Sequence, residues 1–61
     1  MNILLTKIDG LGEIFVDASR IIYAEDKMVG VTTVVLSLGD DRIQSFEVAE
    51  SAQEILELCG L

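Results

Sequence analysis

Val31-Thr32-Thr33-Val34-Val35-Leu36-Ser37-Leu38 is the stretch that decides how this chain folds. It runs without a charge between Gly30 and Gly39 and is mostly β-branched or aliphatic. β-Branched side chains fit a pleated surface, and a strand covered on both faces needs no polar side. A buried helix is also apolar, but two threonines, flanking glycines and the short length select a strand. The stretch is read as the central strand, with the other segments arranged about it.

Working outward toward the N-terminus, Asn2 to Ile8 reads as a first strand, apolar on both faces. Asp9-Gly10-Leu11-Gly12 is a turn, because Asp-Gly favours left-handed backbone and the second glycine lengthens the loop. Glu13 to Asp17 returns as a second strand. Asp17-Ala18-Ser19-Arg20 reads as a corner in which the Asp17 carboxylate caps the amides that follow. Ile21 to Asp26 is a third strand, and Lys27-Met28-Val29-Gly30 connects it to the central one. On the other side, Gly39-Asp40-Asp41 is a turn into a fifth strand, Arg42 to Val48. There Gln44, Phe46 and Val48 share one face, and Ile43, Ser45 and Glu47 the other.

The period then changes. Ser51-Ala52-Gln53-Glu54 has the S-x-x-E form of a capping box, in which side chains and amides of the two ends satisfy each other. Ala52, Ile55, Leu56 and Cys59 follow as an i, i+3, i+4, i+7 stripe, and Gly60 ends it. The predicted fold is therefore α+β. It is a small, strongly bent antiparallel sheet of four or five strands with one short C-terminal helix from about residue 51. Residues 1–61 form a single domain.

Composition restricts function. The chain is 51% hydrophobic with a net charge of -7 and a mean hydropathy of +0.52, which separates it from disordered acidic tails. No apolar run approaches the roughly 20 residues of a membrane-spanning helix. The N-terminal stretch lacks a basic segment followed by a long apolar one, so a cytoplasmic protein without membrane insertion is expected. With no histidine and one cysteine, an internal disulfide, a structural zinc site and a Ser-His or Cys-His nucleophile are all excluded. Asp9 and Glu13 flank a hairpin tip rather than a cleft, so acid–base work is not expected of them. Gly10-Leu11-Gly12 has no following Lys-Ser or Lys-Thr and is not a phosphate loop. Asp40 and Asp41, with Glu25 and Asp26, read as turn chemistry and surface charge rather than a hard-cation site. Four scattered basic residues do not make a nucleic-acid surface. No catalytic residue, cofactor or metal is expected, and Cys59 reads as a small buried hydrophobe.

Self-association is expected instead. For a chain this small, the gain from burying apolar surface and the cost of ordering the backbone are nearly equal. One helix of about two turns cannot cover both faces of the sheet. Ile3, Leu5, Ile22, Val34 or Val35, and Leu36 then need cover from a second subunit. Val31, Val34, Val35 and Leu36 are the expected contact between copies. Arg20, Tyr23 and Arg42 are the candidate contacts for an anionic ligand or partner. Glu50, Glu54 and Glu57 share a helical face that suits the helix start.

Four pieces of the chain carry a resemblance. Leu5-Thr6-Lys7-Ile8-Asp9-Gly10 is similar to the Leu-Thr-Arg-Leu-Asn-Gly opening of the small flagellar FlbD (SwrD-like) family. Asp17-Ala18-Ser19-Arg20-Ile21 resembles that family's Asn-Ala/Pro-x-x-Ile corner. Thr32-x-Val34-x-Leu36-x-x-Gly39 resembles its Thr-x-Ile-x-Leu-x-x-Gly strand, and Glu50-Ser51-x-x-Glu54-Ile55 its Glu-Ser-x-x-Glu-Val helix start. The resemblance implies a small cytoplasmic β-sheet protein without catalytic residues, and a flagellar role. The function expected is thus that of a non-enzymatic, self-associating interaction or regulatory protein. Its partners are itself and another protein. The alternative is a phage-encoded inhibitor or ligand sponge that acts on a host defence or nucleic-acid enzyme.

Overall fold

The computed structural model describes residues 1–10 and 12–60. Five strands are followed by one helix: β1 Asn2–Thr6, β2 Glu13–Asp17, β3 Ile21–Met28, β4 Val31–Gly39, β5 Arg42–Val48 and α1 Ala52–Leu58. A single 3₁₀ turn, Ala18–Arg20, separates β2 from β3. Every pairing is antiparallel. β1 and β2 form a two-stranded ladder, and β3-β4-β5 a three-stranded one with β4 in the middle. The stretch from Val31 is thus the central strand of the larger sheet. The expected bend is a break between two ladders that meet at one corner. There Lys7 bridges Val48, the Ala49 amide donates to the Thr6 carbonyl at 2.9 Å and the Ile8 amide to the Glu47 carbonyl at 3.5 Å.

Alternation fills the space between the ladders. Ile3 and Leu5 of β1, Val16 of β2, Val34 of β4, Val48 of β5 and Ile55 of α1 form the buried core. Ile3 and Leu5, expected to need cover from a second subunit, are sealed inside one copy. In β3 both Ile21 and Ala24 pack on this core. Strict alternation would send residues three apart to opposite faces. A β-bulge between Ile21 and Tyr23 resolves the conflict by adding one residue, and it turns both Ile22 and Tyr23 outward. A second irregularity falls between Asp26 and Met28, so β3 runs two residues beyond the expected Asp26 and only Val29 and Gly30 form the turn.

The connections follow the sequence signals. Gly39 pairs with Arg42, and Asp40 and Asp41 between them have φ of 50° and 61°. Positive φ at both central residues makes this a type I′ turn, the hand that suits a two-residue hairpin. Of the expected turn Asp9-Gly10-Leu11-Gly12, Leu11 lies outside the described residues. Its closing bond runs from the Lys7 amide to the Gly12 carbonyl, 2.9 Å. At the corner, Asp17 Oδ1 accepts from the Ser19 amide at 3.0 Å and the Ser19 hydroxyl at 2.7 Å. These two bonds hold the Asp17 carboxyl below the usual carboxylate range.

α1 starts with the capping box read from the sequence. The Glu54 amide donates to Ser51 Oγ at 3.1 Å and the Ser51 amide to Glu54 Oε1 at 3.3 Å. Gly60, with φ of 79°, ends the helix in the left-handed region. Two acids tie the helix to the sheets. Asp26 Oδ1 accepts from the Thr32 hydroxyl and from the Ala52 amide, each at 2.9 Å. The Glu50 carboxylate takes the Thr6 amide on one oxygen and the Thr6 hydroxyl on the other, both at 2.8 Å. Partial burial pushes the Glu50 carboxyl up, but the Thr6 bonds outweigh that and hold it below its ordinary value.

Candidate functional site

The surface that distinguishes this fold is the face of β3-β4-β5 turned away from the core. Register and alternation lay it out in rows across the strands. Tyr23 stands opposite Val35, and Val35 opposite Ser45; Glu25 stands opposite Thr33, and Thr33 opposite Glu47. At the two ends lie Met28 opposite Val31, and Ser37 opposite Ile43. Ile22, displaced outward by the bulge, joins this face. Ile22, Tyr23, Met28 and Ile43 are all more than half exposed, Ile43 at 65%. Val35 is 4% exposed, so it forms the floor of the patch between its cross-strand neighbours. The Thr33 hydroxyl oxygen, between the two glutamates, is covered and has no hydrogen-bond partner.

The expected contact set divides between the two faces. Val34 is 0% exposed and lies in the core, and Leu36 packs against that core from the same side. Both are spent inside one copy and cannot meet a second, because β4 is central and its alternate residues point inward. Val31 and Val35 lie on the open face. Of the three candidate ligand contacts, Tyr23 lies on that face midway along its edge strand β3, opposite Val35. Arg20 reaches the sheet at the Ser37 carbonyl, 3.5 Å from Nη1, and its Nε lies 3.9 Å from Asp17 Oδ2. Arg42 opens β5 opposite Gly39, on the alternate parity to Ile43. The three are level with β4 residues 35–39 but do not share one face, since Arg42 alternates away from Ile43, and they line neither of the two described cavities.

Those cavities lie elsewhere. An open apolar groove of about 610 Å³ runs between α1, β3 and the 3₁₀ turn, with Ile21, Ala24, Ile55, Leu56 and Cys59 in its walls. A smaller one of about 510 Å³ lies where β5 parts from the β1-β2 hairpin, beside Lys7, Ile14 and Phe46. On the outside of that hairpin, Leu4 faces Phe15 across the ladder, and Phe15 is 71% exposed. Ile22, expected among the residues needing cover from a second subunit, is indeed exposed, but the groove and the bulge that turns Ile22 and Tyr23 outward together were not expected from the sequence. The run Ile21-Ile22-Tyr23-Ala24 held a signal for the bulge: four apolar residues in a row on an edge strand cannot all alternate into one core.

Among the described residues, no three acidic or thiol groups converge to hold a metal ion. Asp40 and Asp41 sit in the hairpin turn, while Glu25 and Asp26 lie toward the opposite end of the sheet. No helix among the described residues is long and apolar enough to cross a membrane. No protein-family model matches this chain, and comparisons with curated proteins and with solved structures likewise find no match.

Proposed function

We propose that this chain is a non-enzymatic, self-associating interaction module whose acidic exterior meets a second protein. The observation that carries this is the amount of large apolar side chain left uncovered on one copy after its helix has docked. Ile22, Tyr23, Met28 and Ile43 are exposed on the open sheet face, and Leu4 and Phe15 on the hairpin. The accessible surface of 4182 Å² also exceeds the roughly 3,900 Å² that mass scaling gives for a monomer of this size. An extended apolar face rimmed by charge is the usual mark of an association surface. Sedimentation velocity from about 5 to 200 μM is the test. A species heavier than one chain whose fraction grows with concentration is the expected result, and a single monomeric boundary throughout would overturn the proposal.

The groove beside α1 favours a second role, as a ligand sponge. Its volume falls in the range of small-molecule sites and its walls are mostly apolar. Saturable binding of a small apolar probe, lost in Ala24→Trp, would support that role. The flagellar association implied by the FlbD-like segments is a proposal about the partner. Capture of a flagellar protein by the purified chain, reproduced with both components pure, would support it.

A further inference from the structure

We propose that two copies pack the open faces of their three-stranded sheets together with strands antiparallel, about a two-fold axis crossing at Val35, so that Glu25 of each copy meets Arg20 of the other. This rests on the self-association proposed above and specifies its geometry.

Charge placement selects the arrangement. Glu25 is level with Thr33, two residues from Val35 along β4. The Arg20 guanidinium is level with Ser37, two residues from Val35 in the other direction. Each is therefore about 7 Å from the Val35 row, on opposite sides of it. A two-fold axis across the strands at Val35 superposes one on the other, twice per dimer. The alternative axis, along the strands, brings β3 of one copy over β5 of the other. Glu25 and Glu47 are both level with Thr33, so that arrangement would stack glutamate on glutamate twice. The antiparallel arrangement instead sets Glu47, on the edge strand β5, level with Ile43 of the second copy rather than with another glutamate.

The centre of the face suits close approach. Tyr23, on β3, meets its own counterpart beside Ile22, Val35 forms the floor between β3 and β5, and Ile43 stands on β5 at the Ser37 end of the face. Ser45, opposite Val35, is small, and so is Ser37 in the next row. The strands are seven to nine residues long, so the face measures roughly 15 by 25 Å. Two such faces bury on the order of 1,000 Å² in total, at the small end of specific interfaces. Such a contact makes a reversible dimer, with dissociation expected at micromolar concentration.

The experiment measures dimer dissociation by sedimentation for the full chain and for Arg20→Glu, Glu25→Arg, the combined Arg20→Glu/Glu25→Arg, Ile43→Glu and Leu56→Glu. Each single charge reversal should weaken the dimer at least tenfold. The combined variant should return to within about threefold of the natural chain, because exchanging both signs restores both pairs. Ile43→Glu should abolish the dimer, and Leu56→Glu, in the groove, should leave it intact. Thermal unfolding of each variant separates lost association from lost fold, and Glu25→Arg keeps the test clear of the Asp17 contact that Arg20 also makes. Photo-oxidation supplies a readout without substitution. The sole tyrosine should cross-link to its counterpart in this arrangement, whereas in the parallel one it faces Ser45. A dimer that ignores all the sheet-face variants, or that is lost only in Leu56→Glu, overturns this geometry while leaving self-association standing. A monomer at all concentrations overturns both.

Discussion

Replacing Asp26 by alanine tests whether one carboxylate holds helix, edge strand and central strand in register. Its Oδ1 takes the hydroxyl of Thr32 and the backbone amide of Ala52. Thr32 is 1% exposed, so its hydroxyl loses its partner without gaining water, which costs about 1–3 kcal/mol. Ala52 begins α1, and its amide is one of those a helix cannot satisfy internally. Removing a carboxylate from that end costs a further ~0.3–1 kcal/mol. Since Asp26 itself remains in contact with solvent, the lower half of the combined range applies, about 2 kcal/mol, or a fall in Tm of about 8–16 °C for a domain this size. Asp26→Asn keeps one oxygen acceptor and should lose less than half as much. Thr32→Val removes the buried hydroxyl, so Asp26→Ala made on that background should cost about 1 kcal/mol less than on the natural one. Urea unfolding followed by far-ultraviolet circular dichroism, at one fixed and low protein concentration, measures all four corners of the cycle. A loss under about 0.5 kcal/mol for Asp26→Ala, or no coupling to Thr32, would refute the assignment.

Three further outcomes follow from local geometry. Ser51→Ala removes the side-chain half of the capping box, the acceptor of the Glu54 amide, while the residue-51 amide can still donate to Glu54, and should cost about 1 kcal/mol, with a loss of helical ellipticity before the sheet signal changes. Asp40→Asn with Asp41→Gly supplies the residues a type I′ turn prefers and should raise stability by roughly 0.5 kcal/mol in thermal unfolding. Glu50→Gln should flatten the acid limb of the stability curve. The natural carboxyl is held below its ordinary 4.5, so the folded chain takes up a proton less readily than the unfolded one. Its contribution is complete above that value and fades as pH falls through the lowered one. Stability measured from pH 6 to 3 should therefore drop less steeply for the variant.

Much of this architecture is written in local chemistry. The β-branched run from Val31, the Asp-Asp turn, the Asp17 corner and the Ser51–Glu54 box each depend on neighbours a few residues away. Short-range hydrogen bonds and backbone preferences set them, so composition and spacing suffice to place them. The helix start and the order of five strands then one helix follow from the same local signals.

The division of apolar side chains between inside and outside is another matter. Val34 and Val35 are chemically identical neighbours, yet one is core and the other floors an open face. That choice depends on which face of β4 the β1-β2 hairpin and α1 cover. The bulge at Ile22 arises because Ile21 and Ala24 must both reach that core, a demand no local pattern expresses. Likewise Glu50 finds Thr6, and Arg20 the Ser37 carbonyl, across long stretches of chain. Sequence alone determined the elements, their turns and the surplus of apolar residues over what one short helix can shelter. Only the folded chain decided which of those residues remain uncovered and where Glu25 and Arg20 stand about Val35, because burial is settled by contacts between segments far apart in sequence.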